Sequence, residues 1–459
     1  MSQTILCREC INKQLEIDQL KGKIQELNGV IYRMKKKQEV GYFGSSTPSS
    51  KKPVKKNSSE DKIKMRGGAK KGHKGHGRTV FDIKEADEVI NVEAPSNCPK
   101  CGRHLKNIST KIRRVIEIEP VKVKRVAYRL FKKRCHHCKK TIISKAPGVL
   151  PRGLYSNRLL SLVAEDYYIY GIPINRIADR YGFNVGSLLK AMHHIAGIVK
   201  GVTENLVKQY RNAPVKHADE TTWRIDGENG YAWLFATQDT TIMTLRNTRS
   251  GKVAQEILGT SPLPGVLNVD RYAGYNKSPC RIQNCYSHLH RELSDINAQF
   301  PDKPEVASFH NKVAPLLKEA MGLRSLPISD KEFYRRAKKC KLAIISAMSQ
   351  PANHLAIRSF QQIFIDNSHR LYHWVDDRAV PADNNFAERG LRPLVIARKI
   401  SFGSQSDKGA LTRSSLMSIL LTIDKRFPNQ SFHRFCAFLD NYALNPSIDP
   451  FKVLFQDSS

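Results

Sequence analysis

Three acidic residues stand in local settings suited to metal-assisted chemistry: Asp219 in VKHADETTWR, Asp270 in GVLNVDRYAGY and Glu388 in ADNNFAERGLRPLVIARK. They are 51 and 118 residues apart, and each of the first two closes a run of β-forming residues. Carboxylates brought from separate elements to one place suit Mg²⁺, a hard cation that takes oxygen ligands and keeps part of its water. Crowded together without a cation they repel one another, and at least one pKa must rise. Two Mg²⁺ ions ~4 Å apart relieve this, one activating an attacking oxygen and the other stabilising the leaving oxygen. Mn²⁺ shares the preference for oxygen and is the natural substitute. No Ser or Tyr setting asks for a covalent intermediate.

The substrate class follows from charge. With 76 Lys and Arg against 42 Asp and Glu, the net charge is +34, far more than solubility needs. Such an excess favours a polyanionic partner, because every neutralised phosphate releases counterions. A phosphodiester is then the natural substrate for carboxylate-held Mg²⁺, and double-stranded DNA the expected partner. An anionic membrane would attract the same charge, but there is no lipidation motif and no secretory h-region. The longest apolar stretch, around residues 415–423, falls far short of the ~20 residues of a spanning helix. Six of the ten cysteines form three Cys-x-x-Cys pairs, a metal-binding pattern for a reducing cytosol rather than a disulfide framework. A cytoplasmic, nucleoid-associated protein is expected.

The elements around the carboxylates can be read from the pattern. Residues 215–219 form a β-type run ending in Asp219. A turn at 226–230 leads to a second strand at 231–237, and 241–245 makes a third. A helix over 250–258 returns to a fourth strand at 265–269, which delivers Asp270. Three antiparallel strands, a crossover helix and a parallel strand is the order of a ribonuclease-H-like domain. It sets Asp219 and Asp270 at the ends of adjacent strands. Residues 300–380 turn helical and basic, an insertion before the last catalytic element. Asp383 is the expected N-cap of a helix carrying Glu388, and Pro393 ends or kinks that helix.

At 459 residues the chain should hold two to four domains, a multidomain α+β protein. Residues 1–40 carry a heptad pattern (Ile17, Leu20, Ile24, Leu27, Ile31, Met34) of parallel two-stranded type, which implies a homodimer or higher oligomer; the alternative is an amphipathic helix docked on its own chain. Residues 41–80 are a Ser-, Lys- and Gly-rich basic linker, either solvated or tracking phosphates. Residues 81–150 hold Cys98, Cys101, Cys135 and Cys138, two knuckles flanking an alternating run at 115–128 that reads as a β-hairpin. Together they suit one tetrahedral, structural Zn²⁺ in a zinc ribbon. Residues 151–210 read as helices, with a turn at Gly182 between two amphipathic segments. This is either a helix-turn-helix with Lys190, His193 and His194 on its second helix, or a simple αα-hairpin. Residues 211–425 form the catalytic domain with its insertion, and 426–459 a C-terminal tail.

The segments GHKGHGR, GVLPRGLYSN, YGIPINRIA, HADETTWRIDGENGYAW, VDRYAGY, CYSHLHREL and NNFAERGLRPLVIARK, with the two cysteine pairs, occur in a single order. In this the chain resembles the DDE transposases of the bacterial insertion-sequence-sixty-six family, from the basic arm to about residue 415. The resemblance implies that Asp219, Asp270 and Glu388 are the catalytic triad, that Arg392, Arg398 and Lys399 contact DNA, and that small accessory proteins take part. One departure is Tyr286, where the family pattern leads one to expect Trp; an aromatic exchange there bears on packing rather than chemistry.

Several neighbours carry two readings. Glu220 should face away from Asp219 on an extended strand, as a supporting or surface group. His217 shares the face of Asp219 and either contacts the scissile phosphate or is a satisfied structural histidine. His288 and Arg291 either steady DNA and the site or pack. Cys7 and Cys10 would complete a zinc site only between two chains of a parallel dimer. The competing functions are a cut-and-join transposase, a catalytically inactive DNA-binding regulator, and a nuclease or resolvase of the same fold. Intact carboxylates argue against the second, and the coiled coil and zinc ribbon, suited to pairing distant DNA ends, favour the first over the third.

Overall fold

The computed structural model describes residues 140–456 without interruption, and before them the stretches 82–86, 88–90, 100–104 and 123–134 with a scatter of short pieces and single positions. The chain divides into a unit at residues 1–127 and a larger unit at residues 128–459. Within the first, Ile17, Leu20, Ile24 and Ile31 of the heptad set are helical and 44–56% exposed. Leu27, Met34, the linker at 41–80, Cys7, Cys10 and Cys98 lie outside the described residues. Asn97 and His104 form a β-bridge across the exposed Cys101.

The larger unit opens with β1 (Lys132–Arg134) paired antiparallel to β2 (Thr141–Ile143), the exposed Cys138 lying in the turn between them. Cys135 lies outside the described residues. The hairpin expected at 115–128 lies outside the described residues over 115–122. Residues 123–131 are described and form no strand.

Four helices follow: α1 (Asn157–Tyr168), α2 (Ile174–Tyr181), α3 (Val185–Ile198) and α4 (Lys200–Asn212). Gly182 closes α2 with φ 71°, a conformation that favours glycine, and Asn184 then caps α3 by accepting from the Ser187 amide at 3.0 Å. Two helices joined by a short turn are thus present, as both the helix-turn-helix and the αα-hairpin reading require. They are not a separate body, however. Leu188, Met192 and Ile195 of α3 are buried in the same apolar core as Trp223, Trp233 and Phe235 of the sheet.

That sheet has the order β5-β4-β3-β6-β7, formed by β3 (Val215–Ile225), β4 (Glu228–Ala236), β5 (Thr241–Arg246), β6 (Val266–Val269) and β7 (Arg281–Asn284). Strands β3, β4 and β5 pair antiparallel, while β6 and β7 run parallel to β3. The crossover helix is α5 (Lys252–Leu258). The first strand does not stop at Asp219. It runs on to Ile225, because Asp226 (φ 51°) and Gly227 (φ 78°) make a two-residue hairpin that keeps β3 and β4 paired to its base. At the start of β3 the buried Lys216 donates to the carbonyls of Ala213 (2.7 Å) and Pro264 (2.5 Å), fixing the two chain segments that enter β3 and β6.

The edge strand β5 is closed by a helix rather than by another strand. In α13 (Asp407–Arg426), Ser414, Ser418 and Thr422 accept from the amides of Leu245, Met243 and Thr241 at 3.0, 2.8 and 3.0 Å. Each hydroxyl donates its own proton to the helix carbonyl four residues back, of Ala410, Ser414 and Ser418, at 2.9, 2.6 and 2.7 Å. The match has a geometric origin: four helical residues advance about 6 Å, and two strand residues about 6.8 Å. Hydroxyls four apart therefore meet every second residue of the strand, satisfying an edge that would otherwise invite intermolecular pairing.

After β7 come α6 (Tyr286–Gln299), α7 (Pro304–Leu323), α8 (Asp330–Met348), α9 (Leu355–Asp366) and the short α10 (His373–Asp376). They surround a second core containing Phe333, Phe360, Phe364 and Trp374. Tyr286 is buried there, donating to the Leu371 carbonyl at 2.7 Å and packing edge-on against Trp374. Next are α11 (Asn385–Gly390) and α12 (Arg392–Ser401), separated at Leu391 just ahead of Pro393, as the proline requires. The segment expected to be a C-terminal tail instead forms α14 (Ser431–Leu444) and α15 (Pro450–Phe455). Phe435, Phe438 and Leu439 are fully buried, because an apolar face at helical spacing needs a partner and finds it against α1. No described helix is long and apolar enough to cross a membrane.

Candidate active site

The register of the two central strands brings the aspartates together. His217 on β3 lies opposite Asn268 on the parallel β6, and that is the last paired position. Two residues further along each chain stand Asp219 and Asp270. Asp219 is still on β3, whereas Asp270 is the first residue past the end of β6, and the two carboxylates are close enough for the charge of Asp270 to act on Asp219. Beyond His217, β3 stays with β4 while β6 ends at Val269, so both carboxylates border a notch at the carboxyl ends of the parallel strands. Open α/β sheets bind ligands in such places.

One oxygen of each aspartate is fixed by the backbone. Asp219 Oδ1 accepts from the Glu220 amide and Asp270 Oδ1 from the Tyr272 amide, both at 2.9 Å. Burial pushes the Asp219 carboxyl up to about 8, with Glu220, Asp270 and Glu388 adding like-charge repulsion. The site is short of positive charge. Its donors are all carboxylate oxygens, the chemistry of Mg²⁺ or Mn²⁺ rather than of a softer metal. Among the described residues no three His, Cys, Asp or Glu side chains are gathered closely enough to enclose one ion. The fit therefore rests on the paired aspartates, with Glu388 near enough to be felt by Asp219.

Glu388 arrives on α11. Its Oε1 lies 3.9 Å from His288 Nε2, and both side chains are about one-third exposed. The helix is docked by Asn384, the residue before it. Asn384 Oδ1 pairs with His217 Nδ1 at 2.9 Å, its Nδ2 donates to the Ala218 carbonyl at 2.8 Å, and its amide donates to Cys285 Sγ at 3.0 Å. Asn384, not Asp383, holds the cap position; Asp383 accepts one residue later, from the Asn385 amide at 3.2 Å. The extra residue lets the Asn384 side chain enter the core.

Of the two readings of His217, the structural one holds. It is 6% exposed, packs on the Phe386 ring, and burial lowers its pKa to about 4. Glu220 is not a surface group: its side chain is 1% exposed, bonded to Arg249 at 2.7 Å and to the Tyr275 hydroxyl at 2.6 Å. Lys190, Arg392 and Lys399 are exposed. Arg398 is used internally, donating to Thr221 Oγ1 at 3.0 Å and the Thr222 carbonyl at 2.6 Å. His193 pairs with Thr412 Oγ1 at 2.6 Å, leaving His194 and Lys190 as the outward residues of α3. Arg291 is exposed. A polar cleft of about 350 Å³ adjoins Asp270, lined by Arg271, Asn276, Asn284 and Arg370. Nothing in the residue pattern marks that cleft. The paired asparagines ahead of the Glu388 helix were the one available signal for the Asn384 clamp.

The described residues thus form a mixed α+β domain with carboxylates gathered at one end of its sheet, preceded in a basic chain by two Cys-x-x-Cys pairs. Residues 152–412 match the profile described as Transposase IS66 family, and residues 95–139 match the zinc-finger binding domain of transposase IS66. The chain belongs to this family of transposases. It is also similar to two uncharacterised proteins of Sinorhizobium fredii. With y4qI it shares 23% identity over 407 residues, covering 79% of this chain and 72% of that protein. With y4jD it shares 22% over 376 residues, covering 73% and 72%.

Proposed function

We propose that this protein cleaves phosphodiesters at the ends of an insertion sequence and joins the freed 3′-hydroxyls to target DNA. The observation that carries the reading is the gathering of Asp270 and Glu388 close enough to Asp219 for both charges to act on it, inside the segment that matches the transposase family. These three residues are the ones that would hold two Mg²⁺ ions, or Mn²⁺, in a ribonuclease-H-like domain. Bound there, the ions supply the positive charge that activates an attacking oxygen and steadies a leaving one. Asp219 and Asp270, each with one oxygen tied to backbone, hold their free oxygens in a fixed direction. Asn384 fixes the height of α11, and so of Glu388, above β3.

The remaining assignments follow the same reading. Cys98, Cys101, Cys135 and Cys138 hold a structural Zn²⁺. Lys190, Arg392 and Lys399 contact DNA phosphates, whereas Arg398, expected beside them, is bonded to Thr221 and Thr222. The heptad at residues 1–40 pairs two copies of the chain, small accessory proteins assist, and the protein works in the bacterial cytoplasm on nucleoid DNA.

The test is a Mg²⁺-dependent nicking and joining assay on duplexes carrying the element's own terminal repeats, with Asp219→Asn alongside and the accessory proteins supplied. Joined products that require Mg²⁺ and vanish in the variant support the proposal. Tight binding without cleavage, equal in both proteins, would replace it with the regulatory reading, and cutting without joining with the nuclease reading.

A further inference from the structure

Asp270 is the first residue of a loop that runs to Tyr275, and the loop has no strand partner. It is held by two tyrosines. The Tyr275 hydroxyl donates to Glu220 Oε2 at 2.6 Å. Tyr272 donates its hydroxyl to the Arg249 carbonyl, and its ring lies under the Arg249 guanidinium, 4.1 Å from the centroid. Arg249 in turn donates from Nε and Nη2 to Glu220 Oε1 at 3.0 and 2.7 Å. Both anchors of the loop therefore end on one carboxylate, and that carboxylate is one residue from Asp219 on β3. The side chain of Glu220 is 1% exposed.

The backbone is shaped for this closure. A Cβ on Gly251 would come within 2.6 Å of the Gly274 carbonyl oxygen, and a Cβ on Gly274 within 2.3 Å of the Tyr272 ring. The start of α5 approaches the loop so closely that only glycine fits at Gly251, while Gly274 leaves room for the Tyr272 ring of its own loop. The Tyr275 ring also packs edge-on against Trp233 and Tyr272, at 5.9 and 6.0 Å.

We infer that Glu220 is a positioning residue, a latch that ties the Asp270 loop to the strand bearing Asp219 and so sets the spacing of the two aspartates for metal. It acts through Tyr275 and Arg249, and its two oxygens are used by them rather than turned to the metal. This inference rests on the proposed role of Asp219 and Asp270. Partners that orient ligands in this way carry about 10- to 100-fold in metal affinity.

The experiment measures Mn²⁺ binding to the full-length protein by the electron paramagnetic resonance signal of the free ion, beside melting temperature and the Mg²⁺ dependence of nicking. The proteins are wild type, Asp219→Asn, Glu220→Ala, Glu220→Gln and Tyr275→Phe. Gln keeps the size and can still accept from Arg249 and meet the Tyr275 hydroxyl. Phe keeps the ring packing and removes only the latch hydrogen bond. The latch predicts Mn²⁺ affinity at least about tenfold weaker in Glu220→Ala and Tyr275→Phe. It also predicts a raised Mg²⁺ requirement with a smaller loss of rate at saturating metal, and Glu220→Gln within about threefold of wild type.

Wild-type Mn²⁺ affinity in Tyr275→Phe and Glu220→Ala, with only the melting temperature lowered, would reduce the network to a fold element. A loss in Glu220→Gln equal to that in Glu220→Ala would make the carboxylate's charge, not its hydrogen bonds, the active feature and overturn the latch. If wild type binds no more Mn²⁺ than Asp219→Asn, the carboxylate-site reading itself fails, an outcome distinct from either.

Discussion

His217 Nδ1 lies 2.9 Å from Asn384 Oδ1, and through this contact the helix of Glu388 is fixed to the strand of Asp219. The pair is buried, and Asn384 also donates to the Ala218 carbonyl. Asn384→Ala would leave a ring N–H and a carbonyl without partners in the core, a cost of ~1–3 kcal/mol. Urea unfolding should register it. Nicking should fall further than stability does, because α11 loses its register against β3 while the aspartates stay in place. Wild-type activity in a destabilised Asn384→Ala protein would show that Glu388 needs no such docking.

The elevated Asp219 pKa makes metal binding pH-dependent. Burial and then the Glu220 charge raise it to about 8, against an ordinary 3.8. Without metal the folded protein keeps this proton over a range where the unfolded chain has lost it. The group's contribution to stability is thus full below pH 3.8 and lost as pH rises through about 8. His217 runs the other way: held near 4 against 6.5, it contributes above pH 6.5, and that contribution is lost as pH falls through about 4. A divalent ion must displace the Asp219 proton, so affinity should rise about tenfold per pH unit between pH 6 and 8 and then level off. Mn²⁺ titrations at three pH values check this. Asp219→Asn should remove the slope, and a slope that survives in it would assign the proton elsewhere.

What the sequence could convey about this site was set by range. The strands at 241–245 and 265–269 are each within a residue of β5 and β6, and the one at 231–237 begins three residues after β4 does. Periodicity and the Asp226-Gly227 turn are local signals, and so the aspartates could be placed at neighbouring strands. For Glu220 the supporting alternative holds and the surface one does not; the two stayed open because alternation along a strand gives the face of a residue but not what covers it. Its cover, Tyr275 and Arg249, comes from 55 and 29 residues away. Asn384 escaped for the same reason, since its partners on β3 are 166 and 167 residues distant. The C-terminal helices had a legible apolar face, but nothing in the pattern named α1 as the surface it would meet.

The hydroxyl ladder on α13 should matter to both stability and solubility. Ser418 accepts from the Met243 amide while donating to the Ser414 carbonyl, so Ser418→Ala leaves a buried amide unpaired. The expected loss is ~1–3 kcal/mol, read by urea unfolding. Replacing Ser414, Ser418 and Thr422 together by Ala, Ala and Val should free the whole edge of β5. Aggregation on mild heating, followed by light scattering, should then appear well before global unfolding. A soluble triple variant with unchanged unfolding would mean that apolar packing alone closes the edge.

The cationic residues around α12 divide by what they already touch. Arg392 and Lys399 are exposed, whereas Arg398 is bonded to Thr221 and Thr222. If Arg392 and Lys399 meet phosphates, alanine at either should weaken binding to all duplexes alike and reduce the slope of log affinity against log salt by about one. Melting temperature should not move. Arg398→Ala should instead lower the melting temperature, because the Thr221 hydroxyl and Thr222 carbonyl lose a charged donor, and its effect on DNA should follow that loss. Filter binding across a salt series, paired with thermal unfolding, separates the two. A full unit of salt slope lost in Arg398→Ala with stability intact would return Arg398 to the DNA surface and show that its bonds to β3 are exchanged for phosphate on binding.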